Sequence, residues 1–103
     1  MPTSTRKEAT EVARTLKEIY DTPFGGKDRG RFQISREGLR QISGRRRLEE
    51  TTIRAIVDEA YEQDLVVTDM GEDFSVIEEE VMRNYRKVPR KITTSYGNPS
   101  STR

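Results

Sequence analysis

Apolar residues first recur at spacings of three and four. Ala9, Val12, Ala13, Leu16, Ile19 and Tyr20 fall on one face of a helix over residues 5–20. Thr5, with Glu8 three residues later, has the form of a capping box at its start. Thr22-Pro23 ends it near Asp21, because the residue before a proline avoids helical backbone. A loop follows over 23–30, punctuated by Pro23, Gly25, Gly26 and Gly30. The alternation in Arg31-Phe32-Gln33-Ile34 predicts a short strand that turns Phe32 and Ile34 inward. Ser35 is placed to cap a short helix over 36–43 with Leu39 and Ile42 inward, and Gly44 to end it. Arg45-Arg46-Arg47 makes a basic turn.

The clearest element is a helix over 49–63, whose stripe is Ile53, Ile56, Val57, Ala60 and Tyr61. The period then switches from helix to strand. Leu65-Val66-Val67-Thr68, the turn residues 69–73 and Phe74-Ser75-Val76-Ile77 read as a β-hairpin. A last helix is expected over 78–88, with Val81, Met82, Tyr85 and Val88 on one face. Pro89 stops it, and residues 89–103 read as a disordered basic tail. Residues 1–4 read as a flexible N-terminus, which leaves one domain over 5–88.

The order helix, short strand, short helix, turn, long helix, hairpin resembles the winged helix-turn-helix family over residues 8–77. Two stretches carry the resemblance. One is Phe32-Gln33-Ile34-Ser35-Arg36-Glu37-Gly38-Leu39-Arg40-Gln41-Ile42-Ser43; the other begins at Thr51-Thr52-Ile53-Arg54 and runs into Leu65-Val66-Val67. It implies an α+β fold: a small winged-helix domain with a hairpin wing, followed by the C-terminal helix and tail. It also implies a recognition role for the long helix. The expected nucleic-acid-binding residues are then Arg36, Arg40, Arg45, Arg46, Arg47, Thr51, Thr52 and Arg54. Arginine reaches phosphates and pairs with guanine edges. Thr51 and Thr52 serve equally well as residues that only cap or pack the helix start.

Charge changes this picture. The net charge of +1 is a basic–acidic–basic sandwich: 0 over residues 1–26, +6 over 27–47, −11 over 48–82 and +6 over 83–103. Phosphate contacts dominate DNA affinity, yet the long helix and the hairpin turn are rich in carboxylates. Contacts are therefore expected from the 27–47 region, with Arg83, Arg86, Lys87, Arg90 and Lys91 as an arm. The function expected is that of a DNA-binding small transcriptional regulator, with double-stranded DNA as partner. The alternative is a protein-interaction module whose acidic helix and wing hold a basic partner. Val81, Met82, Tyr85 and Val88 either join two subunits as a homodimer or cover the first helix.

Composition narrows the chemistry. There is no cysteine and no histidine, which removes disulfides, thiolate or imidazole catalysis and zinc sites built on them. Hydrophobic residues are 31% and charged residues 36%, which predicts a thin core under a charged surface. Residues 69–73 lack the ligand spacing of a calcium loop, and Gly25-Gly26-Lys27 lacks the frame of a phosphate loop. The expectation is a non-enzymatic protein with no cofactor and no metal. No apolar run nears the ~20 residues of a membrane span, and no signal peptide is visible, so a cytoplasmic protein without membrane contact is expected.

Overall fold

The computed structural model describes residues 6–97, a mixed α+β arrangement of five helices and one three-stranded antiparallel sheet. The elements are α1 (Ala9–Tyr20), β1 (Phe32–Ser35), α2 (Arg36–Ser43), α3 (Glu50–Tyr61), β2 (Leu65–Asp69), β3 (Asp73–Glu78), α4 (Glu79–Arg83) and α5 (Arg90–Tyr96). The expectations for residues 1–4, for Thr5 and for the tail from 98 onward lie outside the described residues.

The sheet order is β1-β3-β2. The hairpin strands pair with each other, and β1 reaches across the sequence to β3, with Phe32 and Val67 both opposite Val76. One sheet face carries Phe32, Val67, Phe74 and Val76 into the core. There they meet Val12, Ala13, Leu16 and Tyr20 of α1, Leu39 of α2, and Ile53, Ile56 and Ala60 of α3. This is one thin layer of side chains between sheet and helices, as the low apolar content predicts.

Local chemistry sets most boundaries. Ser35 caps α2: its Oγ accepts from the Gly38 amide at 2.9 Å. Gly44 closes the helix in the left-handed region (φ 68), where a side chain would be strained. Gly38 faces β1 so closely that an added Cβ would lie 2.9 Å from Ile34 Cγ1. Ser35→Ala is expected to destabilise the fold by ~1 kcal/mol through loss of the cap, measured as a lower midpoint in urea unfolding.

Four expectations need correction. The first helix begins at Ala9, capped by Glu8, whose amide donates to Glu11 Oε1 at 3.3 Å. Residues 6–7 are held away from it, because the Lys7 amide donates to the Ser43 carbonyl at 3.0 Å. Tyr61 is not in the core; it is 49% exposed and its hydroxyl donates to Glu79. The helix expected over 78–88 stops at Arg83, whose carbonyl accepts from Lys87 Nζ at 3.0 Å. It lies against β3 rather than covering α1: Val81 and Met82 are half-buried, while Tyr85 and Val88 are exposed. Finally, the segment from Arg90 is not a structureless tail as far as Tyr96. Pro89 starts a helix there instead of merely ending one, its fixed φ suiting the N-cap.

Candidate nucleic-acid interface

The turn between α2 and α3 is where the predicted residues converge. The Gly44 reversal sends Arg45-Arg46-Arg47 back over the start of α3, beside the tethered segment at Lys7. The result is an open cavity of about 700 Å³. Arg6, Arg45, Arg46 and Arg47 line it together with Glu49, Thr51 and Thr52. Arg46 and Arg47 are exposed and pair with no carboxylate among the described residues. Arg45 is half-buried: Nη2 donates to the Lys7 carbonyl at 3.2 Å, while Nε is buried without a hydrogen-bond partner. Arg54 is on the exposed face of α3, 4.0 Å from Glu50.

Five of the eight predicted residues, Arg45, Arg46, Arg47, Thr51 and Thr52, therefore share one concavity. Arg54 is one turn further along α3. Arg36 and Arg40 are tied elsewhere. Arg36 Nε donates to the Gly71 carbonyl at 2.7 Å and Nη2 to Asp69 Oδ1 at 2.9 Å, with the guanidinium 4.8 Å from the centre of the Phe74 ring. It pins the hairpin turn to the start of α2. Arg40 forms an ion pair with Glu37, three residues before it in the same helix.

Arg6 was missed from sequence, where it reads as one more polar residue in the first helical turn. Among the described residues, the contacts of Lys7 with Ser43 and Arg45 hold that segment beside the cavity, and no local pattern encodes those.

The acidic block is less free than its count suggests. Asp69 is held below the usual carboxylate range, first by the Gly71 amide and then by Arg36. Glu78 is lowered by hydrogen bonding to Arg29, with a smaller contribution from Lys17. Glu79 is lowered by Arg83 and then by the Tyr61 hydroxyl. Arg29 bridges Asp21 and Glu78 at 2.8 and 2.9 Å and lies 5.0 Å from the Tyr20 ring centre, so the glycine-rich loop is fastened to the end of β3. Its own pKa is raised by the hydrogen bonds to Glu78 and Asp21.

A carboxylate lowered in the folded state stabilises the fold above its unfolded pKa of about 4. That contribution is lost as pH falls through the lower folded value. The thermal midpoint is therefore expected to fall between about pH 5 and pH 3, and to fall less in Glu78→Gln. Circular dichroism melts check this, and a midpoint that does not move over that range would refute it.

No helix among the described residues is long and apolar enough to cross a membrane. No family model, curated protein or solved structure matches this chain.

Proposed function

We propose that this chain is a DNA-binding protein of the winged-helix type, a small transcriptional regulator that holds duplex phosphate in the basic cavity ahead of α3. The observation that carries this reading is the gathering of Arg6, Arg45, Arg46 and Arg47 around one concavity beside Thr51 and Thr52. Four guanidinium groups there outnumber one carboxylate, Glu49. Arg46 and Arg47, exposed at the rim, are the guanidinium groups a phosphate oxygen reaches first.

The order of elements supports the same reading. A strand before the helix pair joins the hairpin sheet, and the hairpin follows α3 in the chain, as the wing does in that family. The Arg36 clasp neutralises Asp69 at the hairpin turn and lessens repulsion there. Base reading falls to Thr51, Thr52 and Arg54, on the first half of α3. Asp58 on the second half and Glu62 just past the helix end limit contact to that first half, since a carboxylate facing phosphate is repelled.

Amide NMR spectra of the full chain, titrated with a short duplex, test the location. The largest shifts are expected at residues 45–54 and near Arg6. Shifts concentrated at residues 58–73 would overturn it.

A further inference from the structure

We propose that the C-terminal arm, residues 84–97, docks on the acidic groove between α3 and β2 of a second copy, and that two copies exchange arms to form a homodimer. The proposal rests on the arm and the groove, and does not depend on DNA binding.

The arm is an unsatisfied surface. It holds Arg86, Lys87, Arg90 and Lys91 and no acid, a charge of +4. None of these four pairs with a carboxylate among the described residues. α5 buries no residue against its own chain. Ile92 and Tyr96 stand four apart on one face of it, 46% and 86% exposed, and Val88 just ahead is 64% exposed. Apolar side chains in that arrangement gain free energy only against another surface, at ~25 cal/mol per Å² removed from water.

The groove is its complement. A cavity of about 420 Å³ lies where α3 turns into β2, lined by Val57, Asp58, Tyr61, Glu62 and Val66 among others. Asp58, Glu59, Glu62 and Asp64 give residues 58–64 a charge of −4, with no base in the stretch and no cation paired to them among the described residues. Tyr61, left half-exposed, offers an aromatic surface beside those carboxylates. An apolar strip among four cations thus has, on the same chain, an apolar groove lined by two anions, Asp58 and Glu62, in a stretch that also holds Glu59 and Asp64.

Within one chain the two do not meet, because α5 buries nothing. Between two copies the contact is made twice. It closes with two-fold symmetry, which satisfies both arms and leaves no open end for further growth. Opposite charges also bring the copies together faster and specify the pairing.

Sedimentation equilibrium of the full chain tests this. The chain is expected to be dimeric at low salt and to dissociate more readily as salt rises, because exposed charges are screened. Two charge-reversed variants locate the contact: Arg90→Glu with Lys91→Glu on the arm, and Asp58→Lys with Glu62→Lys on the groove. All four positions are exposed, and circular dichroism verifies that each variant folds.

Each variant alone is expected to be monomeric, its dissociation constant raised at least tenfold. An equimolar mixture is expected to regain the dimer, because the acidic arm of one then meets the basic groove of the other, and the reverse. A third variant, Ile92→Asp, is expected to abolish the dimer with no change in fold. A wild-type chain that stays monomeric would overturn the proposal and would be the result if each arm folds onto its own groove. A mixture that stays monomeric, or a dimer that ignores all three variants, would overturn it as well.

Discussion

Alanine at both Arg46 and Arg47 is expected to weaken binding to a random-sequence duplex by about 10- to 100-fold at low salt. Both residues line the cavity, are exposed, and make no ion pair among the described residues. Their loss therefore removes phosphate contacts and leaves the fold intact, which an unchanged melting curve would verify. The slope of log affinity against log salt is expected to shrink by about 2, the value for two phosphates released from contact. Arg36→Ala and Arg40→Ala serve as the contrast. Their guanidiniums are held by Asp69 and by Glu37, so the loss in duplex affinity is expected to be smaller. Fluorescence anisotropy reads all of these. A larger loss from Arg36→Ala or Arg40→Ala than from the double change would move the interface away from the cavity.

The second large effect concerns stability. Phe74→Ala is expected to cost ~3–5 kcal/mol, the range for emptying a buried aromatic site. Phe74 is fully buried on the central strand, opposite Ile34 of β1 and Asp69 of β2. Its ring also lies under the Arg36 guanidinium. Truncation opens a void in a core only one layer thick and loosens the hold of α2 on the hairpin turn. A small domain carries ~5–15 kcal/mol in all, so a large share of the stability is at stake. Chemical denaturation with an intact slope would measure it, and a loss under 1 kcal/mol would mean the core repacks around the gap.

How far the sequence could be read depended on how local the governing interaction is. Ser35 and Gly44 were legible as the two ends of α2 because a cap and a left-handed residue act within one turn of chain. The hairpin was legible because strand alternation and turn residues lie side by side. The start of α1 was not. Thr5 and Glu8 match a capping pattern, but Glu8 itself caps α1, and the long-range bonds of Lys7 to Ser43 and Arg45 hold residues 6–7 outside the helix. Those same bonds deliver Arg6 to the cavity. α5 was missed because the composition of 90–96 is poor in anchors, and the helix in fact buries none.

A linear count of the charge blocks treats every charge as free. Arg29 with Glu78, Arg36 with Asp69 and Arg83 with Glu79 cancel between blocks through contacts that a linear count cannot see. Among the surfaces those pairs leave uncancelled are the cavity of arginines ahead of α3, the acidic second half of α3, and the basic arm.

If the cavity ahead of α3 takes duplex phosphate, binding must be strongly salt-dependent. The most direct measurement is the affinity of the wild-type chain for a random-sequence duplex of about 30 base pairs at about 50 and 200 mM salt. Four arginines in contact with phosphate give a log–log slope of roughly −3.6, so affinity is expected to drop by roughly 100-fold across that interval. No binding at the lower salt, or an affinity that salt leaves unchanged, would contradict the account.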